Sequence, residues 1–375
     1  MAATTERFTA LDVFRGMTIC FMIIVNAPGS GANVWSPLDH APWIGFTPTD
    51  LVFPSFLFAV GNALSFSKKK FETDAAFIGK IFKRTVIIFL LGYLMYWFPF
   101  FHREAGVWVF NPLSHTRIMG VLQRIALCYF FGALIVHYCS QKMAIIISAV
   151  LLLGYWAFLI FCGEPGKEYT MLGNAGTRLD IVLMGNDHLY HDKGGPIAFD
   201  PEGLLSTMTA IVNVIGGYLA GAFIQRKGKN YESVARLFMC GVLLIAVSLF
   251  WAQFFPVAKK LWTSSFALLT IGIDLLLLGF MVFAIEIKKI KSGTNFFLVF
   301  GRNSLAIYLL SELLLTVFQT IWVKPQLSFY DWINKVLYQK IFPGAFGTLV
   351  FALCYMMLCW LVAWVLDKKK IYIKI

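Results

Sequence analysis

The feature that most constrains this chain is a series of apolar stretches about 20 residues long, separated by short segments that carry basic residues. A helix needs about 20 apolar residues to cross the roughly 30 Å hydrocarbon core of a bilayer. Only 14% of the 375 residues are charged, whereas a water-soluble chain has about 25%. We therefore predict an all-α polytopic membrane bundle with about ten spans, at about residues 10–27, 46–67, 82–101, 118–138, 143–162, 203–224, 236–255, 263–286, 295–322 and 346–366.

The distribution of Lys and Arg predicts how the bundle is oriented. Basic residues are concentrated in alternate connections, and the positive-inside rule assigns such segments to the cytoplasm: 68–84, 139–142, 225–236, 287–294 and 367–375. Both termini are therefore expected inside. The net charge of +12 is explained by these clusters, so nucleic acid is not an expected partner. The seven cysteines show no CxxC or metal-ligand spacing, so no metal site is expected.

The domain organisation is predicted to be simple. No internal repeat or linker divides the sequence, so residues 1–375 are expected to form a single transmembrane domain. The longest connection, at about 163–202, is rich in Gly, Asp and His and is predicted to be an extracytoplasmic cap over a cavity. A passive loop is the alternative.

Ionisable residues inside the apolar stretches are the first functional candidates. A charge at the bilayer centre costs at least about 2.5–3.5 kcal/mol, so such residues mark functional sites by default. The alternative is pairing between helices without any chemistry. The residues concerned are Arg124, Asp274, Arg302 and Glu312.

The first extracytoplasmic connection brings three polar residues to the same predicted depth. Asn26 ends the first span, His40 lies at the membrane boundary and Asp50 opens the second span. A neutral imidazole can accept a proton at physiological pH, a carboxylate can fix its tautomer, and an amide can donate to an oxyanion. Two other interpretations stay open: Asp50 could only cap a helix, and His40 could only anchor at the interface.

Six short stretches extend this pattern along the chain: Leu11-Asp12-Val13-Phe14-Arg15-Gly16, His40-Ala41-Pro42-Trp43 with Asp50-Leu51-Val52-Phe53-Pro54, Gly120-Val121-Leu122-Gln123-Arg124, Gly185-Asn186-Asp187-His188-Leu189-Tyr190, Phe199-Asp200-Pro201-Glu202-Gly203 and Gly301-Arg302-Asn303-Ser304. In this order, on a background of about ten spans, they resemble the heparan-α-glucosaminide N-acetyltransferase family of transmembrane acyltransferases. We expect a bacterial-type member that lacks the long N-terminal extracytoplasmic domain of the animal members and lies in the cytoplasmic (inner) membrane. Ser311 stands where animal members have a histidine.

The resemblance implies an activity and a set of site residues. Family members take acetyl from cytosolic acetyl-CoA and deliver it to the amine of a terminal glucosamine across the membrane. The family's active histidine corresponds to His40, with Asn26 and Asp50 at the positions of its polar neighbours. Animal members are dimers, which suggests a homodimer here. The natural acceptor of a bacterial form need not be heparan.

The two substrates are predicted to occupy opposite ends of a polar cavity. Lys and Arg suit the phosphates of CoA at the cytoplasmic end, although loop lysines can also serve orientation alone. Acidic residues of the cap stretches are candidates to bind the ammonium or hydroxyls of the sugar, with loop stapling as the alternative. The phosphate candidates are Lys83, Arg84, Arg124, Lys288, Lys289, Arg302 and Asn303, and the sugar candidates are Asp187, Asp200 and Glu202.

Two mechanisms and two other functions stay open at this stage. His40 could act as the base that deprotonates the amine, or it could carry the acetyl group transiently as acetyl-imidazole. An amino-sugar transporter would also need many spans with buried polar groups. An O-acetyltransferase acting on an envelope glycan would need the same base.

Overall fold

The computed structural model describes residues 8–29, 34–67, 73–104, 107–191, 198–324 and 327–373. The described part is dominated by helices, which are, in chain order, α1 Thr9–Asn26, α2 Val52–Ser67, α3 Asp74–Trp97, α4 Val121–Tyr138, α5 Gln141–Cys162, α6 Ala175–Met184, α7 Thr207–Lys227, α8 Tyr231–Trp251, α9 Ser264–Met281, α10 Thr294–Arg302, α11 Ser304–Thr320, α12 Phe329–Ile333, α13 Gln339–Ile341 and α14 Ala345–Lys368. Three short antiparallel hairpins pair β1 Phe101–Glu104 with β2 Val107–Phe110, β3 Tyr190–His191 with β4 Ala198–Phe199, and β5 Trp322–Lys324 with β6 Leu327–Ser328.

The membrane-spanning bundle is confirmed. Within the described ranges, eight helices are long and apolar enough to cross a bilayer, and a ninth span results if α10 and α11 are counted together. The remaining predicted span, at 82–101, corresponds to α3, which begins earlier, at Asp74. Lys80, Lys83 and Arg84 lie in the first half of α3, and these three charges distinguish it from the helices counted as spans.

The span predicted at 295–322 is not one continuous helix. The chain breaks at Asn303, and α10 and α11 meet there at 82°. Asn303 leaves the helical conformation, with φ −126° and ψ 35°. Its side-chain amide donates to the carbonyl of Ile371 at 2.9 Å and accepts from the backbone N–H of Ile373 at 2.9 Å. The polar side chain therefore joins the break to the segment that follows α14.

The bundle has two distinct ends. We call the end that carries residues 27–29, 34–51, 98–104, 107–120, 163–191, 198–206 and 252–263 the cap end. Contacts between these segments include the hydrogen bond from the Trp43 indole N–H to the Tyr169 carbonyl at 2.7 Å. We call the opposite end the basic end. There the Lys229 ammonium and the Glu286 carboxylate pair at 2.8 Å, and Glu286 also accepts from the backbone N–H of Ala10 at 2.9 Å.

Glycines set the closest helix crossings in the interior. A β-carbon at Gly61 of α2 would overlap the carbonyl of Val214, and one at Gly217 of α7 would overlap the carbonyl of Phe58. Small residues at a crossing allow two backbones to approach and gain van der Waals contact, which is the main source of attraction between helices in lipid. The α2–α7 pair therefore forms a fixed centre for the bundle.

The described part of the segment predicted as a cap contains regular structure. It contains α6, a short 3-10 turn at Asn186–His188 and the β3–β4 hairpin, while residues 192–197 of the predicted cap lie outside the described residues. Asn174 caps α6 by accepting from the backbone N–H of Thr177 at 2.8 Å. Ala175 packs with Tyr155, Leu159 and Phe255 in a small apolar cluster. The cap is thus anchored to α5 and to the segment that precedes α9.

Candidate functional site

Asp50 is positioned by the turn that opens α2. Residues Pro48–Leu51 form a 3-10 turn that leads directly into α2, and Asp50 is fully buried. Its Oδ2 accepts from the backbone N–H of Thr47 at 3.0 Å, from the Thr47 hydroxyl at 3.1 Å and from the backbone N–H of Ala41 at 3.2 Å. This oxygen caps the turn, which is the structural role considered for Asp50 above.

The second oxygen of Asp50 holds His40. Oδ1 of Asp50 lies 2.7 Å from Nδ1 of His40, whose side chain is 41% exposed. An ionised carboxylate can only accept, so Nδ1 carries the hydrogen and Nε2 keeps its lone pair. The contact therefore presents Nε2 as the acceptor. Asp50 can stabilise the turn that opens α2 and also orient His40, because these two roles use different carboxylate oxygens.

Lys259, which was not among the predicted site residues, lies against the same imidazole. Its Nζ is 3.1 Å from Nδ1 and 3.3 Å from Nε2 of His40, and 3.6 Å from Oδ1 of Asp50. The Lys259 ammonium is nearly equidistant from the two ring nitrogens, so it lies over the face of the His40 ring. Burial lowers the pKa of Lys259, and the carboxylate of Asp50 opposes that effect.

A cavity of about 130 Å³ opens beside His40 and Lys259 at the cap end. Asn26, Glu202 and Tyr308 also line it, so it collects polar groups from α1, the first connection, the cap and α11. Apolar side chains complete the wall: Met22, Val25, Val52, Phe53 and Val121. A mostly apolar concavity with a few converging polar groups is typical of a small-molecule site.

Asn26 faces this cavity and is itself held by α11. Its Nδ2 donates to Oε1 of Glu312 at 2.9 Å. One hydrogen of the Asn26 amide is therefore used by this contact, and the other is left for a further acceptor. Glu312, one of the ionisable residues noted in the apolar stretches, thus serves to orient Asn26.

Two of the three predicted sugar-binding residues lie together. Arg117 donates from Nε to Oδ2 of Asp200 at 3.0 Å, and from Nη2 to Oδ1 of Asp200 at 2.7 Å and to Oε2 of Glu202 at 2.5 Å. Its guanidinium also lies 5.0 Å from the ring centres of Tyr96 and Tyr190. Burial alone would lower the pKa of Arg117, but Tyr96, Asp200 and Glu202 raise it well above its usual value.

The remaining polar candidates lie elsewhere. Asp187 is exposed, with its Oδ2 3.9 Å from Nδ1 of His115, and does not line the cavity. Arg124 is fully buried, and the central carbon of its guanidinium lies 4.9 Å from the centre of the Trp262 ring. Its Nη2 donates to the carbonyl of Gly203 at 2.9 Å. Arg124 therefore ties the cap to the bundle, at the opposite end from the other predicted phosphate ligands. Asp274 is buried and accepts from the Ser55 hydroxyl at 2.5 Å.

The other predicted phosphate ligands lie at the basic end on separate elements. Arg302 binds Asp367 through Nη1, at 2.7 Å and 2.5 Å from its two oxygens, so its charge is already paired. The Arg84 guanidinium lies 4.9 Å from the ring centre of Tyr129, and the Lys288 ammonium lies 5.6 Å from that of Phe283. Lys83 and Lys289 are exposed, and Asn303 binds the segment after α14 as described above.

Sequence reasoning missed two residues of the site, Lys259 and Arg117. Lys259 belongs to a Lys-Lys pair between α8 and α9, and its contact with His40 spans 219 residues. Arg117 stands just before the Gly120–Arg124 stretch, and a basic residue there resembles an ordinary loop residue. The only available signal was that both lie in short connections assigned to the same side as His40.

Comparisons with known proteins show which proteins the chain is similar to. Residues 7–166, which include Asn26, His40 and Asp50, match the family described as heparan-alpha-glucosaminide N-acetyltransferase, catalytic. The whole chain is 26% identical to the heparan-alpha-glucosaminide N-acetyltransferases of Homo sapiens, over 431 aligned positions, and Mus musculus, over 428. The chain spans 61% of the length of each of these relatives. These matches confirm the resemblance to the heparan-α-glucosaminide N-acetyltransferase family that the sequence motifs indicate.

Proposed function

We propose that the protein is a transmembrane N-acetyltransferase that moves acetyl from cytosolic acetyl-CoA to the amine of glucosamine, or of a glucosamine-terminated saccharide, on the extracytoplasmic side. The observation that carries the proposal is the buried carboxylate of Asp50 at 2.7 Å from Nδ1 of His40, beside the cavity. The names of the two relatives support the reaction class. The predicted positive-inside orientation supports the sidedness.

In direct transfer, His40 acts as a general base. The amine nitrogen attacks the thioester carbonyl carbon, Nε2 of His40 takes the proton from that nitrogen, and the thiolate of CoA leaves as the tetrahedral intermediate collapses. The carboxylate of Asp50 stabilises the imidazolium that forms. The free amide hydrogen of Asn26 is placed to donate to the carbonyl oxygen as it gains charge.

In the alternative route, His40 carries the acetyl group. Nε2 attacks the thioester carbonyl carbon and the thiolate leaves. The amine then attacks the acetyl-imidazole, the bond between the acyl carbon and Nε2 breaks, and the electron pair that returns to Nε2 takes up the amine proton. Incubation with acetyl-CoA alone distinguishes the two routes. Acetylated His40 that forms at least as fast as product would establish the carrier route, whereas its absence during turnover would favour direct transfer.

Acetyl-CoA must place its thioester far from its phosphates. By peptide-like dimensions the pantetheine arm reaches roughly 15–20 Å, which is less than the roughly 30 Å core. We propose that the arm enters the bundle from the basic end, with the phosphates near Lys83, Arg84, Lys288, Lys289, Arg302 and Asn303. Four of these residues are exposed: Lys83, Arg84, Lys288 and Lys289.

The amine of the sugar is proposed to bind near Glu202, which lines the cavity. Asp200 lies behind Glu202 and shares Arg117 with it, so it would act by positioning Glu202. Asp187 would reach a sugar only if the acceptor extends beyond the cavity, as a saccharide does. A Glu202→Gln variant is expected to raise the KM for the amine with little change in the KM for acetyl-CoA.

The experiment that tests the proposal is mass spectrometry of the purified protein incubated with acetyl-CoA and glucosamine. His40→Ala is the test variant, and His102→Ala is the control because His102 lies on the exposed β1–β2 hairpin. N-acetylglucosamine from the wild type and the control, and none from His40→Ala, is the expected result. Product only with hydroxyl acceptors would identify an O-acetyltransferase. Sugar uptake that survives His40→Ala, without binding of acetyl-CoA, would identify a transporter.

A further inference from the structure

Lys259 has a location that ordinary ion pairing does not explain. Its side chain is 19% exposed, and its nearest carboxylate oxygen, Oδ1 of Asp50, is 3.6 Å away and already accepts from His40 at 2.7 Å. Moving an ammonium out of water is costly unless charged or hydrogen-bonding partners compensate. The ammonium instead lies over the imidazole and lines the cavity, where it has donors left for another acceptor.

The backbone fixes this position. The backbone N–H of Gly45 donates to the carbonyl of Val257 at 2.8 Å, which joins the His40 connection to the segment that carries Lys259. The N–H of Trp262 donates to the carbonyl of Lys259 at 2.9 Å, and the Thr263 hydroxyl accepts from the N–H of Ala258 at 3.1 Å. The two connections therefore hold His40 and Lys259 as one preorganised unit.

We propose that Lys259 is a catalytic residue whose ammonium donates a hydrogen bond to the acyl carbonyl oxygen as that oxygen becomes an oxyanion beside His40. This inference rests on the proposed acyl transfer. The Lys259 Nζ lies 3.3 Å from Nε2, so an oxyanion on the Lys259 face of the ring would fall within its reach. A positioned donor in a partly desolvated site stabilises developing charge strongly.

The proton and electron balance is simple for either route. The attacking nitrogen, from the amine or from Nε2, forms a bond to the carbonyl carbon, and the C=O π electrons move onto oxygen. The ammonium of Lys259 donates to that oxygen and keeps its proton. When the carbonyl re-forms, the C–S electrons leave with the thiolate of CoA. Lys259 is therefore unchanged at the end of the step and needs no co-reactant.

The kinetic test compares Lys259→Met with Lys260→Met, because methionine has a similar length and no hydrogen-bond donor. Lys260 is the adjacent lysine, and its ammonium lies 5.8 Å from the ring centre of Phe199. Lys259→Met is expected to lower kcat by about 10²-fold, the cost of one oxyanion donor, with less than about threefold change in the KM for acetyl-CoA. Equal kcat in the two variants would overturn the proposal.

A second measurement does not depend on acetyl transfer. Diethyl pyrocarbonate is attacked by a neutral imidazole through an oxyanion intermediate of the same kind, and the modified histidine is read by mass spectrometry. At pH 7.5, His40 is expected to react at least about tenfold more slowly in Lys259→Met than in the wild type or Lys260→Met, since an oxyanion donor is worth about 10²-fold or more. An unchanged or faster reaction would overturn the role of Lys259, whatever the acceptor. If the Lys259 variant slows the reaction of His40 as expected but the wild type forms no acetylated product, the result counts against the proposed function and not against the role of Lys259.

A third variant separates chemistry from folding. Lys259→Cys treated with 2-bromoethylamine regains an ammonium on a side chain of nearly the same length. Recovery of His40 reactivity to at least about one third of the wild-type rate, relative to wild type treated in the same way, supports a direct role for the charge, because mere misfolding would not be reversed by restoring one donor. No recovery in a folded, alkylated variant would contradict it.

Discussion

At the scale of single residues, Asp50 uses one oxygen for the fold and the other for His40. In Asp50→Asn, the amide oxygen can keep the contacts of the turn, but the NH2 group then faces Nδ1 of His40. The imidazole would have to place its hydrogen on Nε2, which removes the acceptor that the mechanism needs. We expect kcat to fall by about 10²–10⁴-fold, the usual contribution of a general base, with little change in thermal stability.

The control for this prediction is a second Asp–His pair. Asp74 and His137 lie 2.9 Å apart, and they lie at the basic end, away from the cavity. Asp74→Asn should keep full activity. A similar loss of kcat in both variants would show that the effect of Asp50→Asn comes from the fold and not from His40.

Asp180, in the cap helix α6, gives a prediction about pH. Burial raises the pKa of Asp180 from 3.8 to about 7, while the N–H of Leu204, which donates to it at 3.0 Å, acts in the opposite direction. Because the pKa of Asp180 is higher in the folded state than in the unfolded state, its contribution to the free energy of unfolding is greatest below about pH 4. This contribution is lost as the pH rises to about 7. The free energy of unfolding changes by at most about 4 kcal/mol over this pH range.

Asp180→Asn removes this titration while keeping an acceptor for Leu204. Between pH 5 and pH 8 the wild type should lose more thermal stability than Asp180→Asn, measured as the change in Tm in detergent. Asp187→Asn, on the exposed part of the cap, should behave like the wild type. An identical pH profile for all three proteins would contradict a buried, proton-binding Asp180.

The residues that could be predicted are those whose partners lie nearby in the sequence. His40 and Asp50 are ten positions apart, so a single connection is enough to bring them together. The contact of Asn26 with Glu312 spans 286 positions and depends on how α1 packs beside α11. A sequence pattern can mark both residues as polar and costly, but only the packed bundle pairs them.

At the scale of elements, the α2–α7 crossing leaves no room for a side chain. Gly217→Ala would place a methyl group against the carbonyl of Phe58, so the helices must separate and lose contact. We expect a loss of about 1–3 kcal/mol, typical of overpacking, measured by thermal unfolding in detergent. Gly79→Ala is the control, because a β-carbon there meets no described atom within 4 Å, and it should not lower the Tm.

The break between α10 and α11 shows where hydropathy fails to predict an element. Residues 295–322 are apolar enough for one span, and that was the prediction. Asn303 interrupts the helix because its side chain satisfies backbone groups of Ile371 and Ile373, about 70 positions away. Apolar content predicts that a segment enters the membrane, but it does not predict the direction that the segment takes there.

At the scale of the whole molecule, two native cysteines report on the predicted orientation. Cys162 is exposed where α5 reaches the cap end, and Cys139 lies between α4 and α5 at the basic end. In sealed right-side-out vesicles, a membrane-impermeant maleimide should label Cys162, and it should label Cys139 only after permeabilisation. The reverse pattern would place His40 on the cytoplasmic side and overturn the proposed direction of transfer.

The hydrogen bond between the His40 connection and the Lys259 segment also determines which side of the cavity is fixed. The backbone hydrogen bond from Gly45 to Val257 holds the two segments together, so they form one fixed side of the cavity. The opposite wall comes from α11, where Tyr308 lines the cavity and Glu312 is joined to Asn26 by a side-chain hydrogen bond. The two sides of the cavity therefore depend on different kinds of contact: backbone hydrogen bonding fixes His40 relative to Lys259, and a pair of side chains fixes the position of Asn26.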